Sequence, residues 1–425
     1  MLVGLDAPLI GPHAGRAGRV VPAVPGPVAR LATVSPRDAR AEDPPTTAPR
    51  VVVAPDSFKG SAAAADVAAC LAEGVLRARP DADVVRLPMA DGGEGTLAAL
   101  VAAWGVEERR TDTVDALGRA TRARWAVSAD GRLAVVELAE ASGLAAVTDV
   151  LPQPLLATTF GTGLVLRDAL DAGVAEILLC LGGSATTDGG AGILRALGAR
   201  LLDRDGAPVP DGGEGLAHVA RIELDDLHPR AREVRWRLAV DVTNPLVGQR
   251  GAARTFGPQK GAGDADLAYL DAGLERWADV VRSVRGVDVR DLPGAGAAGG
   301  VAGGLHAVLG AELEGGAALV ADAVGLADAV TDAALVLTGE GSFDSQSLGG
   351  KVADQVAAVA AAAPSRPPVV VVAGQVLLAA SRAAESGVTA AFSIAGGPAT
   401  LAELVVHTPT RLADVAENVA RLVLR

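Results

Sequence analysis

Lysine is nearly absent from this chain. Of 38 basic residues only three are lysine, Lys59, Lys260 and Lys351, and each stands in a glycine-bearing stretch: DSFKG, GPQKG and GGKV. Where any cation will serve, the sequence uses arginine. A lysine therefore marks a place that needs a compact ammonium on a thin stem, such as a tight loop against phosphate oxygens. Asparagine is as scarce, with only Asn244 and Asn418. Aromatic residues make up 2% of the chain although half of it is hydrophobic, so the core must be alanine, valine and leucine. Such a core suits Val/Leu strands alternating with Ala-rich helices, the α/β pattern.

Other shortages exclude whole classes of function. The two cysteines, Cys70 and Cys180, lie in apolar runs and are expected to be buried thiols, with neither a disulfide nor a sulfur-bound metal. A reducing, cytoplasmic setting fits. A formal net charge of −13 and a pI near 4.9, without a basic aromatic stripe, argue against a nucleic-acid surface. No apolar run reaches the ~18 residues that span a membrane, and no basic segment leads into a hydrophobic one at the N-terminus. No obligate protein partner is indicated either.

At 425 residues the chain suggests two domains with a tail. Met1 to Pro49, rich in Pro, Ala, Gly and Arg (PAVPGP, EDPPTTAP), has no helical or strand period and is expected to be a disordered extension. A strand is predicted over Val51 to Ala54, with Ser61 capping the helix after it. The turn between them carries Asp56, Ser57 and Lys59. A second strand ends in Asp91-Gly92-Gly93-Glu94-Gly95, where glycines around carboxylates allow close backbone approach to a ligand. From Val106 to Val136 the pattern alternates around an Asp130-Gly131 hairpin turn, an antiparallel excursion that opens a second domain.

The strand Ile177 to Leu181 leads into Gly182-Gly183-Ser184-Ala185-Thr186-Thr187-Asp188. Its Gly-Gly-Ser nest offers backbone N–H groups to an anion, and Asp188 is a candidate metal ligand. Next comes DVTNPLVGQRGAARTFGPQKGA, Asp241 to Ala262, with Asp241, Asn244, Gln259 and Lys260. A segment of that composition cannot pack a core, so it reads as a binding loop on a strand end. A literal GxGxxG begins at Gly294, but Pro293 precedes it and no good strand leads in; a glycine-lined pocket wall around Gly296 is the better reading than a dinucleotide site. A later strand ends in Glu340 and Asp344, followed by Gly349-Gly350-Lys351; no GxxxxGK[ST] motif occurs. Thr410 is the expected cap of the terminal helix.

In this order and spacing APDSFKGS, LPMADGGEGT, GGSATTDGGAG, the Asp241 stretch, PGAGAAGG and LTGEGSFDSQSLGGK resemble the bacterial glycerate kinase family from about Val51 to the C-terminus. Thr187 departs from that family's usual Asn. The resemblance implies a flavodoxin-like α/β domain and a restriction-endonuclease-like α/β domain. It also implies ATP-dependent, Mg²⁺-assisted phosphorylation of D-glycerate at the 2-hydroxyl. Phosphoryl transfer needs cations on phosphates, carboxylates on Mg²⁺ and a base. Lys59, Asp91, Asp188, Asp241 and Lys260 are the expected catalytic residues, with Asp188 and Asp241 on the metal and Glu340 a further candidate for base or ligand. Binding of glycerate and ATP is expected from Asp56, Ser57, Gly92, Gly93, Glu94, Gly182, Gly183, Ser184, Thr186, Asn244, Gln259, Gly296, Glu340, Asp344 and Lys351. A kinase for another hydroxy acid and a catalytically silent binding protein are the alternatives. Residues 50–105 and 290–425 are expected to form the flavodoxin-like domain, with a mixed-sheet domain, 106–289, inserted.

Overall fold

Valine and alanine runs with no polar alternation need apolar cover on both faces, which only a parallel sheet between helix layers provides. Three such runs, 51–54, 335–337 and 369–373, form the centre of the sheet here, between two shorter, partly exposed edge strands. A computed structural model describes residues Ala48 to Leu424; the expected extension lies, but for its last two residues, outside them. Strands β1 (Arg50–Val53), β2 (Asp83–Arg86), β3 (Arg109–Val114), β4 (Ala120–Val127), β5 (Leu133–Glu137), β6 (Glu176–Cys180), β7 (Arg200–Leu202), β8 (Arg221–Glu223), β9 (Arg235–Ala239), β10 (Glu312–Glu314), β11 (Ala333–Phe343), β12 (Val369–Val376) and β13 (Ala390–Ser393) follow in chain order. An all-parallel sheet runs β13-β12-β11-β1-β2. Counted along the chain, that is the 2-1-3-4-5 order of flavodoxin-like folds, whose direction reverses between β1 and β11.

The second sheet is mixed, β10-β9-β6-β5-β4-β3, with β3, β4 and β5 antiparallel and the rest parallel. Helices Ala64–Ala78 and Leu401–Val423 cover one face of the parallel sheet, burying Leu71, Val75, Leu412 and Val419. Between the sheets lie helices Thr96–Trp104, Gly316–Ala323 and Val352–Ala362, in one apolar cluster that takes in Val52, Val135, Leu178 and Val336. Helices Phe160–Asp171, Ala191–Ala196, Asp264–Arg285 and Ala297–Leu309 fill the outer core around Trp236 and Trp277.

Several expected boundaries move. The mixed sheet does not stop at 289, because β10 pairs in parallel with β9, Leu313 against Leu238. Helix Thr96–Trp104 shares its core with Ala126 and Val135 of the mixed sheet, carried there by its buried Leu97 and Leu100. The terminal helix starts at Leu401, not after Thr410: Thr400 and Glu403 make a capping box, and the helix accommodates Pro409. Ser61 is no cap either, since its hydroxyl donates to the Phe58 carbonyl and the helix begins at Ala64.

Candidate active site

In an open α/β sheet, loops leaving adjacent strands in opposite directions part and leave a crevice at the carboxyl ends. Here that crevice lies between the loops after β1 and β11. Ala54 N–H donates to the Leu337 carbonyl (2.7 Å) and Asp56 N–H to the Gly339 carbonyl (2.8 Å), which holds the loop after β1 against the long strand β11. A cavity of about 340 Å³ opens beside them, lined by Asp56, Ser57, Lys59, Asp91, Glu340, Ser342, Asp344, Gln346 and Lys351. Burial, partly offset by the Ser57 N–H, raises the Asp56 carboxyl to about 6; the charge of Asp91 also raises it, and that of Lys59 lowers it. Burial likewise raises Glu340 to about 7, with the nearby Ser347 hydroxyl opposing. Among the described residues nothing hydrogen-bonds the buried Glu340 Oε1. Asp344 instead shapes the turn, accepting from the Gln346 N–H (2.8 Å) and the Ser342 hydroxyl (3.2 Å).

A second cavity, about 380 Å³, is largely apolar. Its walls are Gly92 and Gly93, Leu181 to Ser184, Ala239 to Val242, Phe256, Gln259, Lys260, Ala297 and Ala298. The turn Asp91–Gly93 thus borders both cavities. Only glycine fits there: at Gly92 (φ 85°) a Cβ would sit 2.6 Å from Gly316 Cα and 2.7 Å from Ala239 Cβ, and one at Gly182 would sit 2.8 Å from Gly93 Cα. Gly92→Ala is expected to lose at least ~2 kcal/mol of stability, from backbone strain together with the clash. Gly95 (φ 96°) has open space around it, so Gly95→Ala should lose only ~1 kcal/mol, the strain alone. Equal melting temperatures for the two variants would contradict this packing.

Asp241 stands at the mouth of the second cavity. Its Oδ1 accepts from the Gly316 N–H (3.0 Å), the start of helix Gly316–Ala323. Partial burial raises its carboxyl; Asp91 adds to this, while the Gly316 N–H and the Lys351 charge oppose it. Lys260 is 2% exposed and donates to Ser184 Oγ (3.1 Å) and the Thr186 carbonyl (2.5 Å). Burial lowers its ammonium to about 8, with the charge of Asp188 opposing.

Asp188 is not placed as a metal ligand. Fully buried, its carboxylate accepts from Thr159 N–H (2.8 Å), Thr159 Oγ1 (2.8 Å), Gly190 N–H (3.1 Å) and Gly192 N–H (3.2 Å), so its lone pairs are taken by the chain itself. Asn244 is likewise occupied, its amide donating to the Arg250 carbonyl (2.7 Å) and Thr255 Oγ1 (3.2 Å), and it lines neither cavity. Glu94 and Thr186 also stand outside both linings, and Gly296 packs against Asn244 and Pro245. Sequence reasoning missed Leu144, Phe256, Ala298, Ser342 and Gln346 as wall residues. Phe256, one of only five phenylalanines and set in a polar loop, carried a usable signal; the aliphatic walls carried none.

Among the described residues every ion pair is made by an arginine or by His228, and none by a lysine. Lys59 and Lys351 are therefore cations without an ion-pair partner, beside carboxyls and glycine turns at a switch point. Also among them, no three His, Cys, Asp or Glu side chains gather into a ready cage for a metal. Mg²⁺ needs no such cage, since it is usually held by one or two carboxylates together with substrate phosphates. No helix among the described residues is long and apolar enough to cross a membrane.

Sheet order, switch-point cavity and unpaired ammonium groups together describe an α/β phosphotransferase. The chain belongs to the glycerate kinase family: residues 51–424 match the profile described as "Glycerate kinase family". It is 46% identical, over 73% of its length and 82% of the relative's, to the glycerate 2-kinase of Escherichia coli (strain K12). It is 42% identical to a glycerate kinase of Halalkalibacterium halodurans, covering 87% of this chain and 97% of the other. A solved structure described as that of a glycerate kinase 2 from Salmonella typhimurium LT2 superposes with a TM-score of 0.81 at 42% identity, over 88% of this chain and 98% of that one. The protein is accordingly an α/β enzyme of the kinase class.

Proposed function

We propose that this enzyme transfers the γ-phosphoryl group of ATP to the 2-hydroxyl of D-glycerate with Mg²⁺. The observation that carries this reading is the pair of cavities bordering one turn, Asp91–Gly93: one polar, with Lys59 and Lys351 set among carboxyl groups, the other largely apolar and glycine-walled. A small hydroxy acid suits the first, where Lys59 and Lys351 can meet its carboxylate and the transferring phosphoryl oxygens. A nucleoside suits the second. The 2-hydroxyl is supported by the name of the Escherichia coli relative, a glycerate 2-kinase. The two sheets are read as two domains, the parallel one built from both ends of the described chain.

Glu340 takes the role of base. As the 2-hydroxyl oxygen bonds to phosphorus and the bond to the ADP oxygen breaks, the hydroxyl proton passes to the Glu340 carboxylate. Asp91 and Asp241 are the residues that would hold Mg²⁺, which neutralises charge on the phosphate oxygens. Lys260 braces the Ser184–Thr186 turn on the other wall.

ADP release measured with D-glycerate, tartronate and sugar acids, with the product identified by phosphorus NMR, tests the reading. Faster turnover of another hydroxy acid, or 3-phosphoglycerate as product, overturns it. A base must be unprotonated, and Glu340 is raised to about 7. The value of kcat/KM for glycerate should therefore fall as pH drops through about 7, a limb that Glu340→Gln abolishes while turning over slowly at every pH. The linkage has the opposite sign for stability. A carboxyl that binds its proton more tightly when folded destabilises the fold increasingly as pH rises from its ordinary range through about 7, so Glu340→Gln should melt no lower than the parent at pH 8. A parent limb unchanged by the substitution removes Glu340 from the role.

A further inference from the structure

Helix Thr96–Trp104 follows directly on the Asp91–Gly95 turn, and its own sequence does little to anchor its start. Gly95 at its N-cap has no side chain to offer, and the first turn contains no acidic residue. Its positive end is met from elsewhere: the Leu97 N–H donates to Glu137 Oε1 (2.7 Å), across 40 residues of sequence. Glu137 is 5% exposed, a buried carboxyl that the proposed chemistry does not use. Burial raises it to about 7, while the N–H groups of Leu97 and Gly95 pull it down.

Its position in the mixed sheet matters more. Glu137 is the last residue of β5 and lies opposite Cys180, the last of β6, where the chain leaves for the Gly182–Ser184 wall. The residues just after Glu137 hold that wall: Leu138 N–H donates to the Cys180 carbonyl (2.9 Å) and Leu144 N–H to the Gly183 carbonyl (2.8 Å). On the facing side Thr96 Oγ1 donates to the Gly93 carbonyl (2.8 Å), so the helix start and the glycine turn are tied together. Glu137 therefore stands where the Asp91–Gly93 turn, coming from the parallel sheet, is fixed against the mixed sheet.

We infer that Glu137 is a positioning residue for phosphoryl transfer: by accepting the Leu97 N–H it sets the Asp91–Gly93 turn between the two cavities. It touches neither substrate, and its effect belongs to kcat. This inference rests on the proposed reading of the two cavities, and the experiment keeps the two apart. Glu137→Gln keeps an oxygen at the same reach and gives up the charge; Glu137→Asp keeps the charge and withdraws the oxygen by one methylene. The Gln enzyme is expected to keep kcat within about threefold of the parent. The Asp enzyme should lose about tenfold or more, with KM for glycerate and ATP within about threefold in both, because a small misplacement costs rate before it costs binding. Amide hydrogen exchange over residues 91–97, read without substrate, should speed up in the Asp variant alone. The opposite order of rates, equal rates, an effect confined to KM, or unchanged exchange in the Asp variant overturns the inference. Absence of glycerate turnover in the parent would sink the proposed function instead, and the exchange measurement would still decide on Glu137.

Discussion

Asp188→Ala is expected to lose about 3–5 kcal/mol of folding stability, because a buried, fully paired charge is removed and its partners are left behind. Thr159 N–H and hydroxyl and the N–H groups of Gly190 and Gly192 would each lose their acceptor, and Lys260 would keep its burial without its counter-charge. Thermal or urea unfolding measures it. Asp188→Asn separates structure from metal binding. A metal ligand's Asp→Asn variant regains part of its rate at high Mg²⁺. Asp241→Asn should do so, and Asp188→Asn should stay impaired at every concentration. Recovery of the Asp188 variant by Mg²⁺ would show that the network of N–H donors is not what holds this carboxylate.

Lys59→Arg and Lys351→Arg should each reduce kcat/KM by about 2–4 kcal/mol in transition-state terms, tens to about a thousandfold, while folding normally. Both side chains are exposed at the switch-point cavity and free of ion pairs, so a broader cation costs the fold little; what it cannot do is occupy an ammonium's place among the phosphate oxygens. Lys260→Arg should differ in kind. A guanidinium has no room where Nζ is buried against Ser184 and Thr186, so overpacking should lower stability by about 1–3 kcal/mol as well as rate. Parent-like kcat/KM in the Lys59 and Lys351 variants would contradict the functional meaning given to the scarcity of lysine. A Lys260 variant as stable as the parent would contradict the tight packing around Nζ.

Much of this was legible in one dimension. Runs such as VVVA and VVVVA can only be covered strands, and glycine clusters directly after them can only be turns, so the strand ends that meet at the cavities were visible as DSFKG, DGGEG and TGEGS. The six motifs in register were enough for the family. Local chemistry of this kind needs only neighbours in sequence.

What the tertiary structure alone decided depends on partners far away along the chain. Asp188 reads as a metal ligand until Thr159, 29 residues upstream, fills its lone pairs. Asn244 reads as a ligand group until Thr255 and the Arg250 carbonyl claim its amide. Glu137 looks like an ordinary strand end until the N–H of Leu97 reaches it. Strand β10 joins the mixed sheet because pairing with β9 outweighs nearness in sequence to the strands of the other sheet, and helix Thr96–Trp104 buries Leu97 and Leu100 in a core shared by both sheets. A carboxylate's role is set by which donors reach it first, and that is a property of the folded chain: residue types and spacing settled which groups this enzyme has available, while packing settled which of them remain free to meet a substrate.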